Sequence, residues 1–239
     1  MKDTKFIWCQ GDMSISEPQL ATFLNVICDI IATTSGKKSL REWNAKHCHT
    51  PLQGSPITRK PDVILVDRDF EGTPQWHNVH AVAELTTLAS EHLRIIRTVT
   101  DKSYIMLGVQ PSHIFIPIIS AWGGSKFCLT ITNHQGQLCT STYNIHGSIC
   151  RAELRVLIHI VAGLCFGSDK AVGYDDTMKM GQDSVEVIMC AGDEFKVINS
   201  STQHNLLSAE QHVCLKWRGI NEGIFLKMHG LRSIALCLK

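Results

Sequence analysis

Apolar positions recur at helical spacing in three stretches of the chain. Leu20, Phe23, Leu24, Ile27, Ile30 and Ile31 fall on one face of a helix. Its start is signalled by Ser16-Glu17-Pro18-Gln19, where Ser16 can cap, Pro18 suits the first turn and Gln19 completes a capping box. Ser35-Gly36 stops it. Leu88, His92, Ile95, Ile96 and Val99 mark a second helix running to about Leu107, and residues 152–164 a third, stopped by Gly167. Short runs of strand character lie between them. Residues 63–66 are four consecutive apolar positions, three of them β-branched, the pattern of a strand buried on both faces. Residues 79–85 form a second strand and 113–120 a third, in which Pro117 predicts a bulge or an edge. Residues 126–132 and 137–144 read as a hairpin around Asn133-His134-Gln135-Gly136. Residues 1–13 read as a weak strand or a loop. Residues 36–60 are polar, with Pro51, Gly54 and Pro56 as breakers, and are predicted to be irregular, anchored to the core by Trp43.

After Gly167 the pattern changes. Residues 167–186 are polar and read as a linker. Short strands follow at 185–189, 195–198, 213–217, 224–228 and 234–238. The last runs into Lys239 with no stop signal, the pattern of a domain cut short. The expected organisation is therefore an α/β module at 1–166, a linker at 167–186 and a β-rich segment at 187–239. The fold class is α+β, with a mixed central sheet flanked by helices in the first module.

Composition narrows the function classes. The 239 residues are 44% hydrophobic and 19% charged, enough apolar surface for a sizeable core. A formal net charge of +1 supplies no strong field for nucleic acid or an acidic membrane. The expected partner is another protein or a domain missing from this stretch. Ten cysteines are scattered singly with no CxxC pair, so they read as reduced, mostly buried thiols of an intracellular protein. His47-Cys48-His49 has the residue types of a metal tract but no further ligands at matching spacing. Residues 1–10 hold no apolar core of a signal peptide, and no run approaches the roughly 18 apolar residues of a membrane span, so a cytoplasmic or nuclear location is expected.

Two strands carry an acid each: Asp62 at the mouth of the first and Glu84 near the end of the second. The order of helix, acid-bearing strands, helix and strand resembles the αβββαβ core of the PD-(D/E)xK nucleases. In that chemistry two carboxylates hold Mg²⁺ and a lysine two residues after the second acid assists the attacking water. Asp62 and Glu84 match the acids. Thr86 stands where the lysine is expected, and threonine brings no positive charge to the phosphate. No second basic residue is apparent beside the pair. An active nuclease is thus disfavoured, and a nuclease-like scaffold, metal-binding or not, is the alternative.

A longer resemblance rests on several blocks in order. RKPDVILVDRD followed by Trp76 and AVAELT, then Gln110 with HIFIPIISAWGGSKFCLTITNHQG, then STYNIHGSICRAELRVLIHIVAGL, then AVGYDDTM are together similar to the fungal-type protein kinase family. The resemblance spans about 1–230 and is loosest before residue 60. Departures are His113 where the family often has an arginine, Asn133-His134 in place of Asp-Arg, and Thr86 in place of lysine. The resemblance implies a mixed α/β module preceding a kinase domain. HVCLKWRGINEGIFLKMHG resembles the first two strands of a kinase N-lobe, with Gly219 and Gly223 in the turn as a degenerate Gly-rich loop, and Lys239 resembles the third-strand lysine. ATP and Mg²⁺ are implied for the full-length family. No HRD and no DFG occur in the 239 residues, so phosphoryl transfer by this stretch lacks its base and its metal-binding Asp. The expected function is the regulatory or interaction part of a kinase-like protein, inactive by itself. A metal-dependent nuclease or its inactive relative, and a stand-alone binding module, are the alternatives.

Overall fold

The structure is a computed structural model that describes residues 15–86, 92–145, 151–180, 185–190, 193–200, 210–217 and 224–229. Helix α1 spans Glu17–Ser35. Its capping box forms as the sequence predicts: the Gln19 side-chain oxygen accepts the Ser16 backbone N–H at 2.9 Å. Gly36 closes it in the left-handed conformation, φ 69°. The strands β1 (Arg41–Asn44), β2 (Val63–Asp67) and β3 (Ala81–Thr86) form an antiparallel meander. Helix α2 (His92–Val109) then crosses over to β4 (Phe115–Trp122), which lies parallel to β3. A helical crossover is what a parallel neighbour requires. Strands β5 (Lys126–Asn133), β6 (Gly136–Cys139) and β7 (Tyr143–Asn144) complete a seven-stranded sheet, with β6 and β7 both on β5. Helix α3 spans Arg151–Phe166. The mixed central sheet flanked by helices is the expected α+β architecture.

The period-two alternation of β2 divides the core. Val63 and Leu65 face α1 and α3, with Trp43, Ala81, Ala83, Leu157 and Val161. Ile64 and Val66 face α2, with Val82, Ile118, Val99, Ile105 and Met106. Both faces of β2 are therefore dry, which is why the run at 63–66 has no polar position.

Two expectations change. The irregular segment at 36–60 contains β1, paired along its length with β2. Its sequence, REWN, hides an alternation in which Arg41 and Trp43 are buried and Glu42 and Asn44 half-buried, the Arg41 charge being met by the end of α3 and by Asp169. Trp43 is buried as predicted. Pro117 marks neither a bulge nor an edge strand: β4 is internal, and Pro117 sits opposite Ile131 of β5, one residue before pairing with β3 begins at Ile118. The backbone at Pro117 thus needs no bond to β3.

The first part of the predicted linker packs onto this sheet. A short 3-10 turn at Asp169–Val172 buries Val172 in the core shared by α1 and α3. The chain then forms β8 (Met178–Met180), β9 (Val185–Cys190), β10 (Asp193–Ser200), β11 (Glu210–Trp217) and β12 (Ile224–His229). They make a second, five-stranded sheet in which every neighbour is antiparallel and adjacent in sequence. The strand expected at 234–238, and the segment 1–13, lie outside the described residues.

Candidate functional site: an acid pair and a buried lysine

Antiparallel pairing of Val63 with Ala83 puts Asp62 beside Glu84 at one end of the β2–β3 pair. Their backbones and carboxylates are cross-linked. The Asp62 N–H donates to Oε1 of Glu84 at 3.3 Å, and the Leu85 N–H donates to Oδ2 of Asp62 at 2.8 Å. The two acids singled out from the sequence therefore meet.

The expectation that no basic residue stands beside them is wrong. Lys102 of α2 places its ammonium on Oε2 of Glu84, and both side chains are 3% exposed. The geometry follows from two periodicities. Glu84 lies two residues after Val82 on β3, so it points to the same face, toward α2. Lys102 follows Val99 by three residues and precedes Met106 by four, in the middle of the stripe that α2 buries. That position was the available signal: a lysine in the apolar stripe of a helix must find an anion.

Burial pushes the Glu84 carboxyl up to about 7, helped by the neighbouring Asp62 charge and opposed by Lys102. Burial also raises Asp62, again opposed by Lys102 and by the Leu85 N–H. Of the four carboxylate oxygens, Glu84 Oε1 and Oε2 and Asp62 Oδ2 are committed to partners. Among the described residues no group of three or more His, Cys, Asp or Glu side chains converges as a metal site. Cys48 of the His-Cys-His tract is buried. Gly219, Gly223 and Lys239 lie outside the described residues.

A second polar cluster, unmarked by any spacing in the sequence, occupies the opposite end of the same strands. Arg41 is 1% exposed and donates to the carbonyls of Leu164 at 3.1 Å and Gly167 at 2.9 Å, and to the Asp169 carboxylate. His80 Nε2 is 2.9 Å from Oδ1 of Asp67, which holds the Asp67 carboxyl below its usual range. The Gln110 amide donates to the carbonyls of Trp76 and Val79, both at 2.8 Å, and its oxygen accepts the Tyr174 hydroxyl at 2.8 Å. Gln110 opens one of the quoted family blocks, and its three bonds tie α2, the entry to β3 and the segment before β8 together.

Among the described residues no helix is long and apolar enough to cross a membrane. Comparison with curated proteins and with solved structures gives no match. Asp62, Glu84, Gln110 and Tyr174 all lie inside the stretch, residues 60–218, that matches the family described as fungal protein kinase, and the chain belongs to that family.

Proposed function

We propose that residues 1–166 are a non-catalytic, nuclease-like scaffold that serves as the regulatory or interaction module of a kinase-like protein. The β-rich segment 187–239 is then the start of a kinase N-lobe, joined through 167–186. Its partner is a protein surface, in the simplest case a kinase catalytic domain. The order α1-β1-β2-β3-α2-β4, with β4 parallel to β3, supports the nuclease-like assignment.

One observation carries the non-catalytic part. Lys102 occupies Glu84 directly, in a dry site, where a hydrolytic centre would need a divalent cation and open access to a phosphodiester. An ammonium is already the counter-charge of the acids, and a metal would have to displace it. The test is cleavage of plasmid DNA and of RNA with Mg²⁺ or Mn²⁺, beside titration calorimetry with either ion. No cleavage and no metal heat are expected. Mg²⁺-dependent cleavage that disappears in Asp62→Ala would overturn the proposal.

The same lysine is what favours a second reading. Two acids and a lysine are the set that phosphodiester hydrolysis uses, and Lys102 supplies from a helix what Thr86 lacks. In that case Lys102→Met abolishes cleavage while the Mg²⁺ heat persists.

A further inference from the structure

The segment 167–177 leads from α3 to β8 and lies across the end of the first sheet. The Ile114 N–H donates to the Gly173 carbonyl and the Asp175 N–H to the Ser112 carbonyl, both at 2.7 Å. His113 and Tyr174 are bridged by their backbones. Their rings meet edge to face, centroids 3.8 Å apart at 87°. The Tyr174 ring also lies 5.5 Å from that of His80. His113 is buried, and neither of its ring nitrogens has a hydrogen-bond partner among the described residues.

We propose that the His113–Tyr174 stack is a proton-sensitive latch: it holds this strap on the sheet while His113 is neutral and releases it when His113 takes up a proton.

The surroundings admit only the neutral ring. An imidazolium would present two N–H donors where no acceptor stands. The charged groups facing it are unfavourable or engaged. Arg41 of β1 and His80, at the entry to β3, both oppose a further positive charge. Asp67 of β2 is bonded to His80, and Asp169 of the strap to Arg41. Gln110, at the end of α2, is neutral and bonded to Tyr174. Lifting the strap removes the Tyr174 ring and admits water to His113, so protons bind the open form in preference.

Burial, then His80 and Arg41, hold His113 down to about 3 from an ordinary 6.5. By linkage the opening equilibrium rises about tenfold per pH unit below 6.5, or about thirtyfold between pH 7.5 and pH 5. This is a regulatory input independent of the acid pair, because it acts at the opposite end of the strands.

Hydrogen exchange of the whole chain, followed by mass spectrometry and corrected for the intrinsic pH dependence of exchange, reads the opening of residues 167–177. Wild type should open about thirtyfold more at pH 5 than at pH 7.5. His113→Phe, which keeps an aromatic partner for Tyr174, should lose that rise. An unchanged strap in wild type, or a rise retained in His113→Phe, would overturn the latch. Should the Phe variant fail to fold, NMR titration of the His113 ring in wild type decides. A ring that takes up its proton in step with the loss of strap protection supports the latch, and one that titrates with the strap still protected, or stays neutral at pH 5 with the strap as protected as at pH 7.5, refutes it.

Discussion

Lys102 and Glu84 form an ion pair inside the protein, between the middle of α2 and the end of β3, with 3% of each side chain exposed. Such a pair is demanding rather than generous. Desolvation of two charges consumes most of their attraction, but removing one partner strands the other. Lys102→Met should therefore cost about 1–3 kcal/mol at pH 7, because without the ammonium the Glu84 carboxyl, which burial already raises to about 7, takes up a proton and is left as an unpaired polar group. A double variant, Lys102→Met with Glu84→Leu, should recover most of the loss, because an apolar pair fits between Val82, Val99 and Met106. Urea unfolding of the four proteins gives the coupling, and simple additivity of the two single losses would contradict the pairing.

Glu84 also leaves a signature in pH. Its folded-state pKa, about 7, lies above the ordinary 4.5. A group raised on folding contributes stability that is complete below the unfolded value and is lost as pH climbs through the folded one. The wild type should thus lose on the order of 3 kcal/mol between pH 4.5 and pH 7 relative to Glu84→Gln, which has no such proton. His113 acts in the reverse sense, since its lowered value removes stability as pH falls below 6.5. Taking the difference from Glu84→Gln at each pH cancels the histidine. A flat difference across that window would show that Glu84 keeps an ordinary affinity for its proton.

Gln110 satisfies the carbonyls of Trp76 and Val79, which lie just before β3 and have no strand partner there. Gln110→Leu keeps the volume but takes from the Val79 carbonyl and the Tyr174 hydroxyl their partner, while the Trp76 carbonyl keeps the Val79 N–H at 3.3 Å. The expected loss is about 2–4 kcal/mol. Thermal unfolding monitored at 222 nm measures it. A loss under about 0.5 kcal/mol would mean that ordered water replaces the amide.

The sequence was legible where a rule is local. Helix α1 announced itself by its capping box, and residues 63–66 by four apolar positions in a row, because both faces of β2 are dry. The acids at 62 and 84 could be placed together once both strands were recognised. The rule that places a lysine two residues after the second acid points to Thr86 and passes over Lys102. Yet it stands in the stripe Ile95, Val99, Lys102, Met106, where a charge is anomalous. Strand β1 was hidden because REWN owes its structure to Val66 and Leu65 across the ladder, not to its own propensity. The cluster of Arg41, Asp67, His80, His113 and Tyr174 gathers residues from five places along the chain. No spacing rule reaches across such separations, and only the folded sheet brings them to one end.

Two glycines with positive φ separate local strain from tertiary fit. Gly36 ends α1 at φ 69°, and a Cβ there would meet no atom within 4 Å. Gly36→Ala should therefore cost about 1 kcal/mol, the conformational penalty alone. Gly173 has φ 103°, and a Cβ there would come within 1.9 Å of the Phe115 carbonyl oxygen, a backbone atom at the start of β4. That oxygen cannot retreat without bending the strand that pairs with β5 from Phe115 onward. In Gly173→Ala the cheaper response is for the strap to lift, which gives up the Gly173 bond to Ile114 and the seat of Tyr174 against His113. The loss should be on the order of 3 kcal/mol. It should be confined to the strap, so exchange protection falls in residues 167–177 and stays unchanged in α1 and β2. Equal losses for the two alanines would mean that the close approach of Gly173 to Phe115 does not govern how the strap docks.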